Sequence, residues 1–244
     1  MADRVVLALF LLAATAPVAG AETLEEVVAK NLRARGGLEK LLAVRTARMT
    51  GRITFGPGMQ APFTLERKRP RLMRTEFTLD GKLCVQAFDG QVAWTQMPFM
   101  GQTTPEPMAD EDRGQIEEQA DFDGPLVDWK AKGHTLELLG KQTLEGSPAW
   151  RLKLTTKSGS VRHVLLDATS FLELRVLDTR SFQGEELEFE SSLSDYRDVD
   201  GIQVPFLVES GPKGAKERQS ISFDKVEFGV AIDDARFRMA GRER

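Results

Sequence analysis

The chain has 244 residues, a formal net charge of −4 at pH 7, and one cysteine. Its mild acidity argues against a nucleic-acid-binding surface, which would carry a clear basic excess. The length fits one large β domain, and the single Cys84 excludes an internal disulfide, so we expect a buried, inert thiol.

The first 21 residues have the pattern of a secretory signal peptide. Arg4 supplies a positive charge, an apolar run extends from Val5 to Thr15, and Ala19-Gly20-Ala21 forms a small-residue cleavage site. The run is shorter than the roughly 20 apolar residues that a membrane-spanning helix needs. We therefore expect cleavage after Ala21 and a soluble, secreted domain of residues 22–244. An uncleaved N-terminal anchor is the alternative.

The next segment predicts helix. Apolar residues recur with a period near 3.6 between Glu22 and Leu42. Thr23 and Glu26 form a capping-box pattern at its start. Gly36-Gly37 interrupts the period, which predicts a tight turn and a second, shorter helix from Leu38.

From Val44 the period changes to two, which predicts strands. Between Ala47 and Phe55 apolar residues occupy one face and polar residues the other. Asp80-Gly81 and Asp89-Gly90 are hairpin signals between further alternating runs that end at Met97. Short strands joined by such turns indicate an antiparallel meander.

The alternation stops between Met97 and Met108. Residues 109–120 are acidic and helix-prone, and residues 121–132 predict another short helix. A connection of this length inside a meander is unusual. It is either a lid over a cavity or an ordinary crossover between two halves of one sheet. As a lid it would offer four large apolar side chains: Met97, Phe99, Met100 and Trp129.

Strand periodicity returns at His134 and continues to the C-terminus. The simplest architecture is mainly β (α+β). A single curved antiparallel sheet of about eleven strands would form an open half-barrel, with helices against its concave face.

The sequence lacks the common catalytic signatures. It contains neither an H-E-x-x-H helix nor a P-loop, and no G-x-S-x-G elbow occurs. With two histidines, a zinc site is not expected. We interpret Asp198-Val199-Asp200-Gly201 as a turn and Glu186, Glu188 and Glu190 as a solvated strand face. The sequence therefore predicts no enzyme, no metal and no cofactor.

The apolar composition favours a cavity. The chain has 14 Phe and 8 Met but only 1 Tyr. Phe and Met carry no obligatory hydrogen-bond partner and suit an adaptable apolar pocket, although they could equally fill a solid core. From the strand alternation we predict an apolar lining of Met49, Ile53, Phe55, Phe63, Leu65, Met73, Phe77, Trp94, Trp150 and Leu152. A register slip of one residue would move a whole strand's set to the other face.

Several fragments, taken in order, resemble the LolA/LolB-like superfamily of outer-membrane lipoprotein-sorting proteins. They are the Gly-Gly-Leu stretch at 36–38 and residues 44–55, 119–159, 166–176, 195–210 and 233–239. The resemblance implies an open β-barrel around helices, with a cavity for lipid acyl chains or lipoproteins. It also implies an arginine in an early strand that tethers a lid. Arg48, Arg52, Arg67, Arg69 and Arg74 are all candidates.

The sequence therefore predicts a monomeric periplasmic carrier of a lipid or a lipoprotein acyl chain, loaded or unloaded by an inner- or outer-membrane protein. The alternative that the resemblance leaves open is a sensor module that binds a membrane-anchored partner. Neither role requires nucleic acid.

Overall fold

The computed structural model describes residues 22–182 and 185–241. The predicted signal peptide, residues 1–21, lies outside the described residues. Within them, three α-helices form: α1 (Leu24–Ala34), α2 (Leu38–Ala43) and α3 (Asp110–Gln119). No helix in this part of the chain has both the length and the apolar character needed to cross a membrane.

The predicted helix start is confirmed. The Thr23 hydroxyl accepts a hydrogen bond from the backbone N–H of Glu26 at 3.3 Å, and the Glu26 carboxylate accepts one from the backbone N–H of Thr23 at 2.8 Å. This reciprocal capping box satisfies two backbone donors that the first helical turn would leave unpaired.

Thirteen strands form one sheet across the described ranges. They are β1 (Thr46–Gly56), β2 (Met59–Lys68), β3 (Leu72–Leu79), β4 (Lys82–Phe88), β5 (Ala93–Met97), β6 (Gln102–Pro107), β7 (Thr135–Leu144), β8 (Ser147–Thr155), β9 (Val161–Asp167), β10 (Glu173–Phe182), β11 (Glu185–Val199), β12 (Ile202–Pro212) and β13 (Gln219–Phe228). We expected about eleven. The Thr- and Pro-rich β6 was missed because it lacks apolar alternation.

The sheet consists of two antiparallel meanders joined at its centre. Its strand order is β6-β5-β4-β3-β2-β1-β13-β12-β11-β10-β9-β8-β7. The first and last strands of the chain pair with each other, from Ala47 opposite Phe228 to Thr54 opposite Ser220. Residues 108–134, which we call the crossover, link the two edge strands β6 and β7.

The crossover shows how strongly the sheet is curved. Ile116 of α3 packs on Ala93 of β5, while Glu118, two residues later, forms an ion pair with Arg162 of β9. Nine strand spacings separate β5 from β9, about 43 Å along a flat sheet. One helix of about 15 Å reaches both, so the two halves of the sheet face each other. The predicted single curved antiparallel sheet is confirmed; it is open rather than closed.

The helices lie on the concave face. Val27 and Val28 of α1 pack with Leu136, Leu152 and other residues of β7–β9. Leu41 of α2 packs against the central strands. The turn between α1 and α2 approaches the β11–β12 turn so closely that a Cβ on Gly36 would lie 3.1 Å from the Cα of Ile202.

The convex face is covered only in part. The C-terminal segment crosses β3–β5, where Phe237 is fully buried and its carbonyl accepts a hydrogen bond from Trp94 Nε1 at 2.8 Å. Glu66, 2% exposed, binds Arg48 at 2.8 Å and Arg236 at 2.5 Å, which fastens this segment to the sheet.

The prediction of a short helix at 121–132 is wrong: this segment runs as successive turns. The two interpretations of residues 97–130 can now be separated in part. Residues 102–107 pair as an edge strand, and the remainder connects the two halves of the sheet across its concave face.

Candidate functional site

The concave face of β1–β4, β12 and β13 carries a continuous apolar surface, which we call the floor. Its buried members are Ile53, Ala61, Phe63, Phe77, Cys84, Phe206, Phe223 and Val226. Its half-buried members are Met49, Phe55, Leu65, Leu79, Val208, Ile221 and Phe228. A packed core would bury all of these side chains, whereas seven of the fifteen remain half-buried.

Strand register aligns the floor residues. Phe77 of β3 lies opposite Phe63 of β2, which lies opposite Gly51 of β1. Gly51 in turn lies opposite Phe223 of β13, beside a shift in register. Because Gly51 has no side chain, the Phe63 and Phe223 rings approach each other over it, with centroids 6.1 Å apart.

The other half of the concave face is filled. Leu152, Leu154 and Leu166 are completely buried under α1 and Leu126 of the crossover. This packing leaves no comparable open surface on β7–β9. Of this cluster's half-buried apolar side chains, Leu138 is the one on β7–β9, whereas the floor has seven.

Two of the five candidate arginines hold the crossover. Arg67 donates to the carbonyl of Asp121 at 2.8 Å and to that of Gln119. Arg69 binds the Asp123 carboxylate with two nitrogens, one at 2.6 Å, and donates to the carbonyls of Val44 and Leu41. Both guanidinium groups face the ring of Phe122, at 5.7 and 4.7 Å from its centroid.

The remaining three candidates point to the convex face. Arg48 binds Glu66, Arg52 binds Gln60, and Arg74 binds Glu76. Alternation already separates the faces, since Arg67 is in phase with Phe63 and Leu65. What only the structure shows is that the crossover covers Arg67 and Arg69.

Burial has the largest effect on the pKa of Arg67, one of the two arginines that hold the crossover. Burial lowers the pKa of the Arg67 guanidinium to about 10, and the nearby Arg35 and Arg69 also lower it, while Asp121 and Asp123 raise it. The group therefore stays cationic at neutral pH. Lys132 also binds the Asp121 carboxylate, at 2.7 Å.

The predicted lining residues fall into four groups. Met49, Ile53, Phe55, Phe63, Leu65 and Phe77 all belong to the floor. Met73 lies beneath α3 with Ile116 and Ala120. Trp150 and Leu152 lie in the part of the concave face filled by α1. Trp94 lies on the convex face with Val85 and Ala87, under the C-terminal segment.

The four predicted lid residues also lie in different surroundings. Met97 is buried against the floor, whereas Phe99 and Met100, 45% and 73% exposed, follow in the 3-10 turn Pro98–Met100. The Phe99 ring lies 6.4 Å from that of Phe77, so it borders the floor. Trp129 packs instead on the cluster beneath α1.

Sequence reasoning missed four half-buried floor residues: Leu79, Val208, Ile221 and Phe228. The alternation of Ile202, Val204 and Phe206 would have placed Val208 on the same face. What it could not show is that β13 pairs with β1 and so adds a second wall to the same surface.

A separate cleft of about 450 Å³ opens beside the start of α3. It is lined by Gln91, Val92, Ala93, Pro107, Met108, Asp110 and Arg113. None of these residues belongs to the floor, so the cleft is distinct from it.

Cys84 provides a chemical probe of the floor. Its side chain is 0% exposed, and burial raises the pKa of its thiol. We expect the native protein to react with a disulfide reagent on the order of 100-fold more slowly than the protein unfolded in guanidinium, because only the accessible thiolate attacks. Absorbance of the released thiolate at pH 8 measures both rates. A native rate equal to that of the unfolded chain would show that solvent reaches Cys84 across the floor.

No family model matches this chain, and no curated protein matches it. Solved structures do match. A LolA superfamily protein from Nitrosomonas europaea has a TM-score of 0.60 at 13% identity, over 89% of this chain and 98% of that one. A DUF1329 family protein from Desulfovibrio piger has a TM-score of 0.60 at 13% identity, over 88% and 97%. A candidate outer membrane lipoprotein-sorting protein domain from Vibrio parahaemolyticus has a TM-score of 0.58 at 10% identity, over 87% and 94%.

These similarities extend over nearly the whole of both chains in each comparison. The resemblance to LolA/LolB-like proteins is therefore confirmed for the fold. At such low identity, the similarity alone does not transfer a ligand.

Proposed function

We propose that this protein is a periplasmic carrier that binds the hydrocarbon chain of a lipid or lipoprotein on the floor and performs no covalent chemistry. The observation that carries the proposal is the half-buried apolar surface of Met49, Leu65, Val208 and Ile221 on the concave face. It is supported by the fold shared with a LolA superfamily protein and a candidate lipoprotein-sorting domain.

The energetics of such binding are favourable. Each buried methylene contributes roughly 0.8 kcal/mol, so a sixteen-carbon chain would gain on the order of 10 kcal/mol before entropic costs. A hydrocarbon chain that lies on the floor would gain part of this free energy. A chain enclosed between the floor and the crossover would gain more, because more of its surface would be removed from water. Release then requires an acceptor of higher affinity, such as a membrane protein that takes over the chain.

The crossover is the element that must move to enclose or release a ligand. Polar contacts provide much of its attachment to the floor side: Arg67 holds two carbonyls and Arg69 holds Asp123. Such contacts exchange with water at lower cost than apolar packing, so they suit a tether that opens. Its other end is fixed by Leu126 in the packed cluster under α1.

A charge placed on the floor tests the proposal. We expect Val208→Glu to weaken binding of the fluorescent apolar probe N-phenyl-1-naphthylamine at least about tenfold, because a carboxylate would have to be desolvated against the ligand. Fluorescence titration of the full mature chain gives the dissociation constants.

Val161→Glu is the matched control. Val161 is 42% exposed on β9, and its alternation with the concave Val164 and Arg162 puts it on the convex face. It should bind the probe within about twofold of wild type. Equal binding by both variants, or no binding by the wild type, would refute a ligand site on the floor. A co-purifying lipid in native mass spectrometry of periplasmic protein would identify the ligand.

A further inference from the structure

The floor ends at two arginines. Along the concave face of β2, Phe63 and Leu65 are followed by Arg67, two residues further on. Two residues of a strand span about 6.8 Å, so a hydrocarbon chain lying on Leu65 would bring its end group to the Arg67 guanidinium. Arg35, which follows the last residue of α1, lies close enough to lower the pKa of Arg67. We call Arg35 and Arg67, both half-buried, the basic corner.

The basic corner has no carboxylate partner in the described part of the chain. Arg67 donates to the carbonyls of Gln119 and Asp121, and both bonds use Nη2. Its Nε is buried and has no hydrogen-bond partner. Arg35 donates from Nη2 to the carbonyl of Asp123 at 3.3 Å. A guanidinium carries five donors in a planar fork that matches a carboxylate or a phosphate, so both groups keep donors for a ligand.

The carboxylates beside Arg67 are bound by other cations. Asp121 and Asp123 are the two whose charges act on its pKa. Lys132 binds the Asp121 carboxylate at 2.7 Å, and Arg69 binds the Asp123 carboxylate at 2.6 Å. The neighbouring guanidinium groups lower the pKa of Arg67 because like charges repel each other at this corner. An anion would offset that repulsion, and an uncharged group would not.

Glu173 does not supply the missing counter-charge. Its carboxylate and Arg35 both influence the pKa of the Tyr196 hydroxyl, which donates to the Glu173 carbonyl at 2.8 Å. Within the described ranges, however, Arg35 and Glu173 form no ion pair, and the hydrogen bond of Arg35 is to a backbone carbonyl. Both arginines of the basic corner therefore face the end of the floor without a bound anion.

We propose that the ligand on the floor is an amphiphile with an anionic head, a carboxylate or a phosphate, and that the basic corner binds this head. The proposal rests on the proposed function, since the hydrocarbon chain of the same molecule occupies the floor. It adds the charge of the head, which the apolar surface does not determine. A charged oxygen is a stronger acceptor than the carbonyls that Arg67 now holds, so such a head can take their place.

Competition between two ligands that share one hydrocarbon chain tests the proposal. Laurate and 1-lauroylglycerol displace N-phenyl-1-naphthylamine from the full mature chain at pH 8, in parallel titrations below their aggregation concentrations. We expect wild type to prefer laurate about tenfold, the factor that one hydrogen bond between charged groups supplies. Arg35→Gln and Arg67→Gln should each lower this preference to under about threefold while they still bind the probe.

Arg52→Gln is the matched control. It removes the same charge from the convex face, where Arg52 binds the Gln60 side chain at 3.2 Å, and it should keep the wild-type preference. Arg35→Gln decides the test if Arg67→Gln does not fold, because Arg35 makes one long hydrogen bond to the backbone.

Three outcomes would overturn the assignment of an anionic head and leave the carrier function standing. They are equal affinity of wild type for the two ligands, an unchanged preference in Arg35→Gln, and an equal loss of preference in Arg52→Gln. Loss of the preference in millimolar inorganic phosphate would assign the basic corner to a free anion and so also overturn it. Failure of the probe and both ligands to bind wild type would instead overturn the carrier function.

Discussion

Replacing Arg69 by methionine is expected to lower the free energy of unfolding by about 3 kcal/mol. Arg69 is 14% exposed and binds the Asp123 carboxylate, 12% exposed, together with the carbonyls of Leu41 and Val44. The substitution leaves a buried carboxylate and two carbonyls without their donor, which is the costly way to break a buried ion pair. Chemical denaturation followed by circular dichroism measures the change.

Two further variants separate this cause from general damage. Arg69→Met/Asp123→Leu removes both charges and should recover part of the lost stability, because an apolar pair can replace a buried ion pair at little cost. Arg52→Met removes an exposed arginine whose side chain, among the residues that the structure describes, binds Gln60 at 3.2 Å, and it should change stability by less than about 0.5 kcal/mol. If Arg69→Met were as mild as Arg52→Met, Arg69 would not hold the crossover.

Replacing Gly51 by alanine is also expected to cost about 3 kcal/mol or more. A Cβ at this position would lie 2.7 Å from the Cα of Phe223 and closer still to the carbonyl oxygen of Ser222. Both are backbone atoms, so β1 and β13 would have to separate at the junction between the two meanders. The midpoint of thermal unfolding should fall by roughly 6–12 °C for a domain of this size.

Gly114→Ala is the matched control, because it adds the same methyl group to α3, where no atom other than those of the adjacent helix backbone lies within 4 Å. It should leave stability unchanged or raise it by up to about 1 kcal/mol, since alanine favours helix. Equal stability of Gly51→Ala and wild type would mean that β1 and β13 do not pack as closely as the structure shows.

These two positions bear on the same surface. Gly51 sets how closely the two meanders meet under the floor, and Arg69 holds the crossover and the end of α2 against its edge. Substitutions at both positions disturb backbone packing or buried polar contacts. We therefore expect them to lower stability more than a substitution at any single half-buried floor residue.

The local structure followed from the sequence. Alternation between Ala47 and Phe55 predicted β1, the Asp80-Gly81 pair predicted the β3–β4 hairpin, and the Thr23–Glu26 pattern predicted the start of α1. Each of these features depends on residues close together in the chain. The same alternation identified the apolar faces of β1–β3, which is why six predicted lining residues belong to the floor.

Only the tertiary structure decided which apolar faces point to the open surface. Trp94 has the alternation of a lining residue, but the C-terminal segment covers it on the convex face, 143 residues away in sequence. Leu152 lies on the concave face but is sealed by α1. A period of two assigns a side chain to one of two faces, and burial by a distant segment is independent of that period. Which element covers a given strand face is therefore decided by tertiary packing alone.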